Sequence, residues 1–214
     1  MIKILLVDDH DLVRTGIRLI LDSEKSFQVI GEADSGEQAI KFCRGQEPDI
    51  VMMDMNMPGM GGLEATKKIL RYNPEVKVVF LSMYKENPIP AKVMQLGAWG
   101  FITKDAEPKE MIRAIFQVSA GQKYIAPDVA QQIALGKVDG NKSNPFGELS
   151  ERELQIMIML TKGEKVPDIA SRLSISAKTV NTYRYRMFEK LGVTGDVELT
   201  HLALRHKLIN PDQL

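Results

Sequence analysis

The chain has 214 residues, 44% of them hydrophobic and 26% charged, which suits one large or two modest soluble domains with packed cores. Lys plus Arg and Asp plus Glu each number 28, so net charge selects no class of partner, and the lone Cys43 excludes an internal disulfide and fits a reducing compartment. No window approaches 18 uninterrupted apolar residues, so no membrane span is expected. The opening run from Met1 to Val7 meets Asp8 too early for a signal-peptide core, which leaves a cytoplasmic protein as the default.

In chain order, Ile2 to Val7 reads as a buried strand stopped by Asp8-Asp9-His10-Asp11. Leu12, Val13, Ile17, Ile20 and Leu21 then recur at helical spacing to about Ser23. Phe27 to Ala33 is a further strand, and Ala39, Ile40, Phe42 and Cys43 mark the inner face of a second helix. Ile50-Val51-Met52-Met53 is an apolar run with no gap, the mark of a strand buried on both faces of a parallel sheet, and it ends in Asp54. Met57-Pro58-Gly59 and Gly61-Gly62 turn the chain into a helix near Leu63–Tyr72. Val76 to Leu81 is a strand ending in Ser82, Ile89 to Leu96 a helix, and Gly97 to Ile102 a fifth short strand with Lys104 just beyond. Pro108 to about Ala120 is the fifth helix, with Met111, Ile112, Ile115, Phe116 and Ser119 inward. Five strands alternating with five helices predict an α/β, doubly wound, flavodoxin-like parallel sheet.

In that architecture the residues just past the strands gather on one edge, which here means Asp8, Asp9, Asp54, Ser82 and Lys104. Clustered carboxylates repel unless a cation sits among them, and hard oxygen donors favour Mg²⁺, which keeps positions open for a phosphoryl oxygen. A carboxylate can accept a phosphoryl group as an aspartyl phosphate, with the developing charge spread over metal, ammonium and hydroxyl. Singly, each residue has a plainer role: Asp8-Asp9 can cap the next helix, Ser82 can be a loop hydroxyl, Lys104 a solvated lysine and His10 an exposed helix-start residue. Their joint arrival at successive strand ends favours the chemical reading.

Beyond Gly121 comes a short helix from Asp128, then a polar, breaker-rich stretch from Gly136 to Pro145, a linker by composition. Ser150-Glu151-Arg152-Glu153 has capping-box spacing, opening a helix that runs to Gly163. A short helix over Pro167–Leu173, a turn at Ser174-Ile175-Ser176 and a longer helix from Ala177 to about Leu191 make a helix-turn-helix, and a last helix covers roughly Val197–His206. On the long helix Val180, Tyr183, Met187 and Leu191 share a core-facing stripe. Lys178, Asn181, Thr182 and Tyr185 lie opposite, with Arg184 and Arg186 on the flanks. Five cations against Glu189 alone between Arg172 and Lys190 localise positive charge there, as a major-groove helix requires. A solvated amphipathic helix is the bland alternative.

Residues 1–120 resemble the receiver domain of bacterial two-component response regulators, on Leu6-Val7-Asp8-Asp9, Asp54 with Met57-Pro58-Gly59 and Gly61-Gly62, Leu81-Ser82, and Gly97-Ala98 through Lys104. The resemblance implies Asp54 as phosphoacceptor, Asp8, Asp9, Asp54 and the Asn56 carbonyl as the Mg²⁺ site, Ser82 and Lys104 as phosphoryl-binding groups, and Phe101 as the aromatic switch. Residues 146–210 resemble the LuxR-type DNA-binding domain, on Leu149-Ser150-Glu151-Arg152-Glu153, Ile169-Ala170, Lys178-Thr179-Val180 and Lys190-Leu191-Gly192-Val193; Tyr183 departs from the family's frequent His. Together they place the chain beside the NarL/FixJ class, in the manner of the GacA/UvrY-type global regulators. The implied partners are a sensor histidine kinase, promoter DNA read through Lys178, Thr179, Asn181, Thr182, Arg184, Tyr185 and Arg186, and a second copy on phosphorylation. The implied outcome is activation of small regulatory RNA genes. The expected domains are a receiver at 1–120, a linker at 121–145 and a DNA-binding domain at 146–214. The rivals are an aspartyl-intermediate phosphatase or phosphotransferase, which needs a substrate cap, and a phosphorylation-independent module with a vestigial receiver.

Overall fold

The computed structural model describes residues 1–85, 88–138, 144–206 and 208–209. The chain divides into two compact units, the first built from Met1–Lys85 with Pro90–Ala130 and the second centred on Gln131–Leu214.

In the first unit β1 (Ile2–Val7), β2 (Phe27–Ala33), β3 (Ile50–Asp54), β4 (Lys77–Ser82), β5 (Gly100–Thr103) and β6 (Tyr124–Ile125) form one sheet, ordered β2-β1-β3-β4-β5-β6. Every pairing is parallel, so each strand needs a crossover back to the same edge. Those crossovers carry α1 (Asp11–Asp22), α2 (Gly36–Gly45), α3 (Gly61–Tyr72), α4 (Ile89–Gln95) and α5 (Pro108–Ser119). β3 is buried at all of its positions, as an unbroken apolar run in the middle of a parallel sheet requires. Ile4, Leu6, Ile50, Met52, Val79 and Leu81 pack in one cluster with Ile17 and Leu21 of α1 and Met111, Ile115 and Val118 of α5. The strand period sends Leu5, Val7, Val51 and Met53 to the opposite face, where α2 and α3 meet the sheet. Burying each such side chain stabilises by roughly 1.5–3 kcal/mol, which fixes the facing of every strand.

Three details depart from expectation. The sheet has six strands rather than five, because Tyr124 and Ile125 pair with Gly100 and Phe101 inside the stretch read as linker. Leu12 is 86% exposed, since it lies about 140° round α1 from Ile17 and so off the buried stripe. Phe116 is also partly exposed, its ring resting against Phe27 with centroids 4.9 Å apart, while Ala114 and Val118 complete the inner face of α5.

After β6, α6 (Pro127–Val138) is longer than the short helix expected from Asp128. Of the stretch read as a linker from Gly136 to Pro145, residues 139–143 lie outside the described residues. A 3-10 turn at Pro145–Glu148 precedes α7 (Glu151–Thr161), α8 (Val166–Arg172), α9 (Ala177–Leu191) and α10 (Asp196–Arg205). The capping box forms as its spacing predicts. The Ser150 side chain accepts from the Glu153 N–H, and the Glu153 carboxylate accepts from the Ser150 N–H at 2.7 Å. The core of this bundle holds Phe146, Leu154, Met157, Ile169, Leu173, Val180, Met187 and Leu199. Val180 and Met187 are buried as expected, but Phe188 joins them while Tyr183 and Leu191 are only half-buried, so the inner stripe of α9 is displaced toward Phe188. No helix among the described residues is long and apolar enough to cross a membrane.

Candidate functional site

Strand order reverses at β1 and β3, and the crevice beyond the carboxyl ends of two such strands is where open α/β sheets place ligands. Val7 and Met53 pair in register, so Asp8 and Asp54 leave the sheet side by side. Both are buried, and Lys104 reaches them from the end of β5, its Nζ 2.7 Å from Asp8 Oδ2 and 3.0 Å from Asp54 Oδ2. Asp9 is half-buried next to them. One ligand atom from each of Asp8, Asp9, His10 and Asp54 lies within 4.8 Å of the others. His10, an exposed helix-start residue by its sequence context, does stand at the N-cap of α1, and that position brings its Nδ1 within 3.0 Å of Asp9 Oδ1.

Ser82 closes β4 on the neighbouring strand end. Its Oγ accepts from the Tyr84 N–H at 3.0 Å, and its carbonyl accepts from the Lys104 N–H at 2.9 Å. The Asn56 N–H donates to Asp54 Oδ1 at 3.4 Å, and Phe101 is fully buried in β5. The structure therefore gathers Asp8, Asp9, Asp54 and Lys104 into one pocket, with Ser82 on the adjoining strand end. The turn that delivers Asp54 is tight: Gly59 and Gly61 take φ of +70° and +71°, the left-handed region that favours glycine.

Burial pushes the Asp54 carboxyl up to about 6, with the Asp8 charge adding to the shift and Lys104 opposing it. Burial also works against the Lys104 ammonium, but Asp54 and Asp8 outweigh it and hold the lysine above its usual value. Against Lys104, the three carboxylates leave two negative charges to be neutralised in a buried place. An oxygen-rich donor set with that excess fits a hard divalent cation.

In the second unit, α8, a turn at 173–176 and α9 form the helix-turn-helix. Ser174 takes φ 53° in that turn. The Ser176 side chain caps α9 by accepting from the Thr179 N–H at 3.0 Å, and Gly192 ends the helix in the left-handed conformation. Lys178, Thr182, Tyr185 and Arg186 line α9, with Asn181 half-buried beside them. Thr179 has its hydroxyl 2.8 Å from the Ser176 hydroxyl.

The positive charge between Arg172 and Lys190 is largely balanced by acids outside that stretch. Arg184 forms a two-pronged ion pair with Asp196 of α10 and lies over the Phe188 ring, Arg172 pairs with Glu164, and Lys190 pairs with the buried Glu153 at 2.6 Å. Reading charge along one helix did not reveal these acids, because they come from other elements of the bundle.

Residues 4–116 match the response regulator receiver domain family, and residues 147–203 match the bacterial regulatory proteins of the luxR family. The chain belongs to the response regulators that join a receiver domain to a LuxR-type DNA-binding domain, a class of transcription regulators rather than of enzymes. Among its relatives, it is 58% identical to response regulator UvrY of Escherichia coli O6:H1 over 215 residues, covering 100% of this chain and 99% of that one. It is 53% identical to response regulator GacA of Pseudomonas aeruginosa over 211 residues, covering 98% and 99%. Among solved structures, the two-component response regulator RcsB in complex with DNA matches with a TM-score of 0.61 at 25% identity, over 95% of this chain and 98% of that one.

Proposed function

We propose that Asp54 is the phosphoacceptor of a transcription factor controlled by a sensor histidine kinase. An Asp54 carboxylate oxygen attacks the phosphorus of the kinase phosphohistidine. The P–N bond breaks, the imidazole leaves with its electron pair and takes up a proton, and an acyl phosphate forms. Lys104 and Ser82 stand where an ammonium and a hydroxyl can receive the phosphoryl oxygens, and Phe101 follows Ser82 as the switch. Asp8, Asp9, Asp54 and the Asn56 carbonyl would hold Mg²⁺, which supplies positive charge against the phosphoryl oxygens when bound. The observation that carries this reading is the convergence of Asp8 and Asp54 on Lys104 at the point where strand order reverses.

The functional segments of this reading are a receiver at 1–120, a connection at 121–145 and a DNA reader at 146–214. Phosphorylation favours a homodimer in the cytoplasm, whose two α9 helices reach half-sites about one helical turn apart on promoter DNA. Lys178, Thr179, Asn181, Thr182, Arg184, Tyr185 and Arg186 are the proposed contacts, with Arg184 also held by Asp196. The DNA complex of RcsB supports the nucleic-acid part, and activation of small regulatory RNA genes is the outcome that the resemblance to GacA/UvrY-type regulators implies.

The test is beryllofluoride, which mimics an aspartyl phosphate without a kinase. It is expected to bind the full chain only when Mg²⁺ is present, and to tighten binding to a promoter fragment. A chain that ignores beryllofluoride in Mg²⁺ overturns the phosphoacceptor reading. On the DNA side, Arg186→Ala is expected to weaken binding to all duplexes alike and to reduce the salt slope by about 1. Weakening confined to one sequence would remove Arg186 from the phosphate contacts.

A further inference from the structure

We propose that Arg14 is the positioning residue of the acidic pocket: by holding the Asp8 backbone it sets the affinity of the site for its divalent cation. This rests on the Mg²⁺ reading of the pocket. Arg14 stands in the first half of α1, facing the β1–α1 loop that carries Asp8 and Asp9. Its Nη1 donates to the Asp8 carbonyl at 2.7 Å, its Nε donates to Glu32 Oε2 at 2.9 Å, and its remaining nitrogen pairs with Asp11. Glu32 is fixed in turn, because Arg18 pairs with its other oxygen and because it lies in β2 in register with Leu6 of β1.

Asp8 is thereby gripped on both sides of its backbone, since its N–H donates to the Ala33 carbonyl at 3.1 Å while its carbonyl accepts from Arg14. The His10 N–H then donates to Asp8 Oδ1 at 2.9 Å and orients the carboxylate. Three acids facing one another tend to spread apart, and the rigid fork of a guanidinium resists that movement in a way a lysine ammonium does not. Groups that orient the residues around a metal are worth about 10–100-fold in metal affinity.

Charge and positioning predict opposite signs here. By Coulomb's law alone, deleting a cation beside a cation site tightens that site. Positioning predicts the reverse. The experiment titrates Mg²⁺ into the full chain by calorimetry at fixed ionic strength, with melting recorded in the absence of Mg²⁺. Arg14→Ala is expected to bind Mg²⁺ about 10–100-fold more weakly, Arg14→Lys to fall in between, and Arg18→Ala, which removes the same charge from Glu32 without a bond to Asp8, to stay within about twofold of wild type. Unchanged or tighter binding in Arg14→Ala overturns the proposal, and so does a lowered melting temperature with unchanged affinity. An equal loss in Arg18→Ala overturns it as well, since Glu32 rather than the Asp8 bond would then set affinity. If Arg14→Ala does not fold, Arg14→Lys decides, with wild-type affinity as the refuting result. A wild-type chain that binds no Mg²⁺ overturns the parent reading instead.

Discussion

Asp54→Ala is expected to abolish phosphate incorporation from a small phosphodonor, read as loss of the phosphoryl adduct in the intact mass of the full chain. Asp8 and Asp9 are the carboxylates that share the pocket with it. Asp8 is fully buried and engaged by Lys104, the Asp8 carboxylate is oriented by the His10 N–H, and Asp9 lies on the loop next to His10 rather than at the end of β3. An adduct retained in the Ala variant would move the acceptor to one of those acids. Asp54→Asn adds a second readout in the metal-free protein. Burial raises the Asp54 carboxyl from 3.8 to about 6, so its protonated form is the one the fold favours. The stability tied to that proton is fully present below about pH 4 and is lost as pH rises through about 6. Above about pH 6 the Asn variant is therefore expected to melt higher than wild type, and Mg²⁺ is expected to narrow the gap. A variant that melts lower at about pH 7 and also loses its adduct would mean that Asp54 holds the fold through its charge.

The acidic pocket was legible in the sequence because Asp8, Asp54 and Lys104 end or directly follow strands that the apolar pattern marks clearly. Ile50 to Met53 has no polar gap, so the strand and its exit at Asp54 follow together, and Asp8 and Lys104 are placed by the same logic just past β1 and β5. What escaped depended on partners far along the chain. Tyr124 and Ile125 make a strand of two residues, too short for any period, and only the open edge of β5 gives it meaning. Arg184 reads as a phosphate-binding cation when α9 is considered alone, and its pairing with Asp196 arises only once α10 packs alongside. His10 carries no signal of its own beyond its place after two acids. Arg14 and Glu32 have the same limitation: an arginine on α1 and a glutamate on a strand are ordinary until the register of β1 with β2 brings them together.

Gly62→Ala is expected to cost about 3 kcal/mol of stability, at the upper end for overpacking, and to weaken phosphoryl uptake along with it. The chain leaving Asp54 curls through Gly59 and Gly61 and comes back so closely that the Gly62 N–H donates to the Met55 carbonyl at 3.1 Å. A Cβ at position 62 would lie 2.0 Å from the Asp54 carbonyl oxygen, 3.0 Å from its carbonyl carbon and 3.1 Å from Met53 Cγ. Two of those three atoms are backbone, so no side-chain rotation relieves the clash. Either the first turn of α3 moves away or the end of β3 shifts, and the second course carries the Asp54 carboxylate with it. Gly16 supplies the comparison, because it lies inside α1 and a methyl group added there would meet nothing within 4 Å. Gly16→Ala is expected to raise stability by roughly 0.5–1 kcal/mol through helix propensity. Urea midpoints of the two variants against wild type measure both effects. A Gly62→Ala chain as stable as wild type would mean that the loop stands clear of the Asp54 carbonyl, and the tethering of β3 to α3 would fall with it.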